Sequence, residues 1–170
     1  MRWLIDGYNV IRRDPGLRAR EGESLEAGRR ALVHLVAALA RRADDAFTVV
    51  FDGARRQGIG APAGRVSVVF SRPPETADDV LIRLARTERQ AAIVVTSDHV
   101  VQDAARRAGA AVVSAEAFLA RASRPDSGEP RDVAEKDEEE ERPADKRGNP
   151  RRLSKKARGT ARALRRLPPR

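Results

Sequence analysis

Short apolar runs alternate along the chain with longer segments in which apolar residues recur every three or four positions. The runs have the length and the β-branched or aromatic composition of strands, and they occupy positions 3–5, 47–51, 66–70, 92–95 and 112–113. Their apolar character is nearly continuous, which is typical of strands covered on both faces. We therefore predict a mostly parallel sheet.

The segments between these runs have the periodicity of amphipathic helices. Ser24 opens one such segment, and Thr76 is placed to cap a helix predicted over 76–89. A further helix follows Asp98 and is stopped by Gly109. Strands that alternate with amphipathic helices predict a three-layer α/β/α domain.

The composition divides the chain into a domain and a tail. Residues 1–123 hold nearly all the branched aliphatic residues and every aromatic residue, so we predict one domain there. Residues 124–170 are rich in Pro, Gly and charge, with an acidic segment at 135–141 and a basic segment at 146–170. Low hydrophobicity and blocks of like charge predict that this tail is disordered. A weak apolar spacing would permit a helix there on binding, at Leu153, Ala157, Ala161 and Leu164.

The net charge favours a polyanionic partner such as a nucleic acid. The chain carries 34 Lys and Arg against 25 Asp and Glu, a formal charge of +9, with a sequence pI of about 11.1. The 19 Arg and 15 acids of residues 1–123 give +4, and the 15 basic and 10 acidic residues of 124–170 give +5. The Arg-rich and Ala-rich usage is explained equally well by genome composition, and a basic tail would add phosphate affinity without sequence specificity.

Several kinds of site and location are excluded or disfavoured. The chain has no cysteine, which rules out disulfides, thiolate metal sites and cysteine nucleophiles. Asp6 interrupts the first apolar run too soon for a signal peptide, and no run approaches the roughly 18 residues of a membrane span. We expect a cytoplasmic protein.

Aspartates follow the predicted strands at the point where ligands bind in parallel α/β sheets. Asp6, Asp52 and Asp98 come directly after or close to the ends of three strands, and Asp78 opens the helix after another. Converging carboxylates repel one another unless a cation neutralises them, and oxygen ligands suit Mg²⁺ or Mn²⁺. Asp is also common in turns and at the starts of helices. The interpretation therefore depends on the repetition of Asp at three strand ends and one helix start, not on any single residue. We interpret the adjacent Asp79 as a helix-start residue.

Four motifs occur in an order that resembles a known family. They are Asp6-Gly7-Tyr8-Asn9, Phe51-Asp52-Gly53, Glu75-Thr76-Ala77-Asp78 and Thr96-Ser97-Asp98. Over roughly residues 1–121 the chain resembles the YacP-like branch of the NYN domains, which are PIN-like proteins. The resemblance implies a Rossmannoid, PIN-like fold and a nuclease that cleaves RNA internally with a divalent metal. RNA is then the expected partner, and presentation of that RNA by the ribosome is left open.

The resemblance also implies roles for individual residues. Asp6, Asp78 and Asp98 would hold the metal, and Asn9 would orient a carboxylate or contact the phosphate. Asp52 is a supporting metal ligand. Ser97 would hydrogen-bond to the scissile phosphate, or else cap the following helix. By their position, independently of the resemblance, four arginines flank the predicted edge and would meet phosphates: Arg55, Arg56, Arg65 and Arg72. Arg55 and Arg56 are the stronger candidates, because their loop directly follows the second strand.

Two other classes of protein share part of this pattern. A haloacid dehalogenase-like phosphatase also begins with Asp after a first strand, but it needs a second Asp where this chain has Tyr8. A non-catalytic RNA- or ribosome-binding module would keep the fold and use the basic tail. Such a module would gain from fewer acids facing phosphates, which favours hydrolysis.

Overall fold

The computed structural model describes residues 1–53, 64–123 and 155–167. In these ranges the chain forms a five-stranded sheet and helices on both of its faces. The strands are β1 (Arg2–Asp6), β2 (Ala46–Phe51), β3 (Val66–Phe70), β4 (Ala92–Val95) and β5 (Ala111–Val113). The helices are α1 (Gly7–Arg13), α2 (Pro15–Glu23), α3 (Leu25–Ala40), α4 (Ala77–Glu88), α5 (His99–Arg107), α6 (Ala115–Ala122) and α7 (Lys155–Arg166), with a 3-10 turn at Arg89–Ala91. No helix in the described ranges is long and apolar enough to cross a membrane.

All pairings in the sheet are parallel, in the order β3-β2-β1-β4-β5. β1 is the central strand, and its Leu4 lies opposite Thr48 of β2 and Val94 of β4. Every residue of β4 is buried, as expected for a strand with helices above and below. The predicted three-layer α/β/α architecture is confirmed.

The side chains of β1 alternate between two apolar cores. Trp3 and Ile5 belong to the core under α1, α3, α6 and α7, whereas Leu4 belongs to the core under α4 and α5. Trp3 stacks on Phe47 with ring centroids 6.0 Å apart and meets Phe118 at 6.2 Å. These contacts hold the central strand, and therefore Asp6 at its end, in a rigid setting.

Two helices that the apolar pattern did not indicate follow β1. Asp6 caps α1 by accepting a hydrogen bond from the Asn9 backbone, and Asp14 caps α2 by accepting one from the Leu17 backbone at 2.8 Å. Leu17 is the only buried residue of α2. An apolar repeat is therefore too weak to reveal α2, which is defined by its capping carboxylate.

Helix α7 corrects the predicted tail. The prediction of disorder over 124–170 is wrong for 155–166, which form a helix packed on the domain. Ala163 is 3% exposed, and Leu167 is completely buried in the core that contains Trp3. The domain therefore does not end at residue 123.

A polar contact shows how α7 meets the sheet. Thr160 Oγ1 donates a hydrogen bond of 2.8 Å to the carbonyl of Val112 in the edge strand β5. The carbonyl of the next residue, Val113, points the other way and accepts from the backbone of Thr96. The helix thus protects the free edge of β5, a place where an uncovered strand would invite pairing with another chain.

Asp45 ties α7 to β1 at the amino end of the sheet. Its carboxylate accepts from the N-terminal amino group at 2.8 Å, from Trp3 Nε1 at 3.1 Å, and from Arg166 through both oxygens at 2.9 and 3.2 Å. Burial by itself would raise the pKa of Asp45, but the hydrogen bonds from Arg166, the amino group and Trp3 lower it to about 2.

Leu167→Ala should test the packing of α7. We expect the free energy of unfolding to fall by about 2–5 kcal/mol in urea titrations, because a fully buried side chain leaves a cavity. Leu25→Ala removes the same atoms from a side chain that is 56% exposed and should change stability by no more than about 0.5 kcal/mol. Equal effects of the two substitutions would contradict the packing of α7.

Asp45→Asn should remove a pH-dependent part of the stability. Its folded pKa of about 2 lies below the ordinary value of 3.8, so the ionised carboxylate stabilises the fold above 3.8 and ceases to do so as the pH falls towards 2. The shift corresponds to roughly 2 kcal/mol. Urea unfolding of both proteins across this window should give a stability difference that shrinks in acid, and a constant difference would contradict the assignment.

Candidate active site at the carboxyl edge of the sheet

Four aspartates lie at the carboxyl edge of the sheet. Asp6 ends the central strand β1, Asp52 follows β2 and Asp98 follows β4, while Asp78 lies in the first turn of α4. β1 lies between β2 and β4, so Asp6 is flanked on both sides. The parallel arrangement alone brings these positions to one edge.

Asp6 is held rigidly although it is charged. It is 8% exposed, and its two oxygens accept hydrogen bonds from the Asn9 backbone at 3.2 Å and from Thr96 Oγ1 at 2.9 Å. Burial raises the pKa of Asp6 and the charge of Asp98 raises it further, against the lowering effect of these hydrogen bonds and of Arg12. A buried carboxylate near a second one is typical of a functional site.

Thr96 links Asp6 to Asp98, and sequence reasoning missed it. The Thr96 hydroxyl donates to Asp6 and accepts from the backbone N–H of Asp98 at 3.1 Å. Thr96 is completely buried, and its carbonyl accepts from the side chain of Gln102 at 2.8 Å. The sequence does contain a signal for Thr96, namely a threonine between a buried strand and an aspartate. The hydroxyl of a residue at the end of one strand can reach a carboxylate at the end of the neighbouring strand.

Asp98 is positioned by capping α5, and Asn9 is positioned by a hydrogen bond to the loop that carries Asp98. Asp98 caps α5 by accepting from the Val100 and Val101 backbones at 2.7 and 3.1 Å through one oxygen. Asn9 Oδ1 accepts from the backbone of Ser97 at 2.9 Å. Asn9 therefore connects α1 to the loop that carries Asp98. Its role in orienting a carboxylate or contacting the phosphate stays a prediction.

Asp52 anchors the helix that carries Asp78. One of its oxygens accepts from Ser71 Oγ at 2.6 Å and from the backbone of Ala77 at 2.9 Å. Ser71 is 2% exposed and was not predicted as a site residue. Asp52 thus holds the start of α4 against the ends of β2 and β3. Its role as a supporting metal ligand stays a prediction.

Asp78 and Asp79 are neighbours with opposite roles. Partial burial raises the pKa of Asp78, and the charges of Asp6, Asp98, Asp52 and Asp79 raise it further. Asp79 instead forms a capping box with Thr76, and those hydrogen bonds lower the pKa of Asp79. The interpretation of Asp79 as a helix-start residue is therefore confirmed, and Asp78 is the acid that experiences the field of the others.

The chemistry of these side chains fits a divalent cation. Within the described ranges, no three Asp, Glu or His side chains are gathered closely enough to form a finished metal site. Asp6, Asp52 and Asp98 each give at least one oxygen to the hydrogen bonds described above, whereas none is found for Asp78 in those ranges. The mutual repulsion of oxygen-only donors is the condition that Mg²⁺ or Mn²⁺ relieves.

The other predicted substrate contacts fall in different places. The Ser97 hydroxyl donates to Glu116 at 2.6 Å and accepts from the Ala115 backbone, so it anchors α6, while Asp98 is the cap of α5. Ser97 therefore does not cap the following helix, and its contact with phosphate stays a prediction. Arg55 and Arg56 lie outside the described residues.

The prediction for Arg65 needs correction. Arg65 precedes β3 at the amino end of the sheet, away from the acidic edge, and pairs with Asp44 at 2.9 Å. The position of Arg65 directly before the predicted strand 66–70 of a parallel sheet already placed it at the amino end, so proximity to the loop after Asp52 was a misleading guide. Arg72, two residues after β3, is exposed at the carboxyl edge as expected.

The chain is a parallel α/β domain with aspartates along the carboxyl edge of its sheet, which is the arrangement expected from its resemblance to nuclease-like proteins. In agreement, the model of the YacP-like NYN domain family matches residues 3–166. The chain belongs to this family, which is nuclease-like and supports a nuclease or RNA-related role. The match extends through α7 and thus includes the helix that the composition had assigned to a tail.

Individual relatives come from Bacillus subtilis. The chain is 33% identical over 121 residues to "Uncharacterized protein YacP" of strain 168, covering 68% of this chain and 71% of that protein. It is 31% identical to the crystal structure of Rae1 (YacP), with a TM-score of 0.63 and coverage of 72% and 73%. The W164L mutant of Rae1 gives 30% identity, a TM-score of 0.61 and coverage of 72% and 74%.

Neutralising the two adjacent aspartates should have opposite effects on stability. Without metal, Asp78→Asn should raise the melting temperature because it relieves repulsion from Asp6, Asp52 and Asp98. Asp79→Asn should lower it because it weakens the capping box with Thr76. Calorimetry in EDTA measures both, and a shift of the same sign in the two variants would contradict the distinction.

Proposed function

We propose that this protein is a metal-dependent ribonuclease that hydrolyses phosphodiester bonds within RNA. The observation that carries the proposal is the link from the Asp6 carboxylate through the Thr96 hydroxyl to the backbone N–H of Asp98, with Asp78 exposed to the charge of both aspartates. Membership in a nuclease-like family and the positive net charge support a nucleic acid as substrate.

Asp6, Asp78 and Asp98 are the residues that would hold Mg²⁺ or Mn²⁺, with Asp52 in support. The cation supplies Lewis-acid chemistry, which activates water and neutralises charge developing on a phosphodiester. The protein contributes rigidity: Thr96 and Asn9 fix the orientation of Asp6 and of the loop bearing Asp98, and Asp52 fixes the start of α4. Ligands held this way need little reorganisation when substrate binds.

A binding module without catalysis is less consistent with the acidic edge. Four carboxylates facing a phosphate chain would weaken binding. Burial first, and neighbouring carboxylates second, raise the pKa of Asp6 and of Asp78, so keeping both ionised costs free energy. A fold that accepts such a cost commonly does so at a functional site.

Cleavage should depend on the metal and on Asp6. Labelled single-stranded RNA incubated with the full chain should yield internal fragments with Mn²⁺ or Mg²⁺ and none with EDTA, and Asp6→Asn should slow cleavage by about 100-fold or more. Thr96→Val keeps the shape but removes the hydroxyl, and it should cost about 10–100-fold because Asp6 loses its orienting partner.

Asp44→Asn is the matched control, since the Asp44 side chain is fully exposed at the amino end of the sheet. It should cleave like the wild type. Cleavage that survives both EDTA and Asp6→Asn would refute the site, and RNA binding without any cleavage would favour the binding module. A parallel reaction with single-stranded DNA tests the preference for RNA.

A further inference from the structure

A buried arginine that has no acidic partner among the described residues lies beside the acidic edge. Arg29 of α3 is 6% exposed, and its guanidinium carbon lies 5.3 Å from the ring centroids of Tyr8 and Phe70 and 5.6 Å from that of Phe51. We call these four residues the Arg29 cluster. Within the described ranges Arg29 forms no salt bridge, although the cost of burying a cation is usually met by a carboxylate.

The hydrogen bonds of Arg29 leave one of its nitrogens, Nη1, without an acceptor among the described residues. Its Nε and Nη2 both donate to the Tyr8 hydroxyl, the first at 2.8 Å. Every completely buried side-chain nitrogen in the described residues has a partner, and Nη1 has none among them, so Nη1 is at least slightly exposed to solvent. The Tyr8 oxygen accepts twice from a cation, which polarises its O–H and leaves that hydrogen to donate elsewhere.

The Arg29 cluster is continuous with the candidate site. Tyr8 lies between Asp6 and Asn9 in the chain, and Phe51 directly precedes Asp52. Tyr8 meets Phe51 edge to face, with centroids 5.3 Å apart. A Cβ at Gly7 would lie 2.2 Å from the Phe51 ring, so a glycine is needed for the aromatic ring to approach the end of β1 this closely.

The charges around the site are therefore divided between two sides. Asp6, Asp98 and Asp78 supply negative charge, whereas Arg29 lies with the aromatic rings at the ends of β2 and β3. The exposed Arg12 adds a second cation, 5.6 Å from the Tyr8 ring centroid. A polyanion approaching the carboxylates needs such positive charge nearby, and a guanidinium with a free N–H beside a polarised hydroxyl matches a phosphate group.

We propose that Arg29 and Tyr8 form a binding subsite for a phosphodiester of the substrate strand, next to the one that is cleaved. This inference rests on the proposed function for its substrate class. Arg29 Nη1 and the Tyr8 hydroxyl donate to the phosphate oxygens, and the rings of Phe51 and Phe70 keep the guanidinium in place. The pair positions substrate and takes no part in bond cleavage.

The test measures binding apart from cleavage. Fluorescence anisotropy with a short labelled single-stranded RNA, over a series of salt concentrations with Mg²⁺ present, uses the full chain carrying Asp6→Asn as the parent. Adding Arg29→Met should weaken binding by about tenfold and make the slope of log affinity against log salt shallower by about 0.7, the loss of one phosphate contact. Tyr8→Phe should weaken binding by about threefold to tenfold with little change in slope, because the hydroxyl is neutral.

Two further variants separate charge from geometry. Arg29→Lys keeps the charge but not the planar donors, so it should retain the slope while losing affinity. Arg41→Met removes an exposed arginine after α3, at the end remote from the acidic edge, and should behave like the parent. Thermal melting establishes that each variant is folded at the temperature of the binding assay.

A folded Arg29→Met variant with the parent's affinity and slope would overturn the subsite. If that variant does not fold, unchanged affinity in Tyr8→Phe would overturn it equally. The outcome is distinguishable from failure of the proposed function, because a protein that binds RNA through Arg29 but never cleaves it refutes only hydrolysis. In the cleaving enzyme, Arg29→Met should raise KM more than it lowers kcat.

Discussion

The hydrogen bond from Thr96 to Asp6 is the contact on which the acidic edge of this protein depends. Asp6 ends the central strand, where it is almost completely buried, and a bare carboxylate there would be strongly destabilising. Thr96 gives Asp6 a donor and at the same time accepts from the backbone of Asp98, so one hydroxyl links the Asp6 carboxylate to the loop that follows β4. Asn9 closes the arrangement from α1 through its contact with Ser97.

The acids of the edge serve the fold as well as the site. Asp6 caps α1, Asp98 caps α5 and Asp52 holds the first residue of α4. Each therefore has a structural reason to be where it is, which offsets part of the repulsion between them. Asp78 is the exception, because its pKa is raised by every neighbouring acid and no capping contact in the described residues compensates. A bound cation would therefore relieve more electrostatic repulsion at Asp78 than at the other aspartates of the edge.

The amino end of the sheet is organised by a different carboxylate. Asp45 is as buried as Asp6, but it is surrounded by cations and donors rather than acids, and its pKa is lowered instead of raised. The ionised form of an aspartate is thus favoured at one end of the sheet and disfavoured at the other. Through Arg166, Asp45 also holds α7 in the helical layer, where Leu167 completes the core around Trp3.

Much of the fold and the positions of the acids followed from local patterns. Strand bounds, the capping roles of Ser24 and Thr76, and the parallel sheet were predictable, because burial on both faces imposes continuous apolar runs. Once the strands are parallel, residues at their ends must share an edge, which is why Asp6 and Asp98 could be placed together. The chain's membership in its family was likewise visible in the order of four short motifs.

Only the tertiary structure decided which side chains meet. Thr96 and Ser71 are ordinary residues in the sequence, and they matter because the neighbouring strand places a carboxylate within hydrogen-bond distance. In the sequence, Arg29 is one of two adjacent arginines in a helical segment. Only the tertiary structure places three aromatic rings around it, those of Tyr8, Phe51 and Phe70. The packing of α7 on the domain could not be predicted from the sequence, because its few apolar residues stabilise the helix only through contact with the core of the domain. Local pattern determines which elements form, whereas the environment of a side chain depends on contacts between residues far apart in the chain.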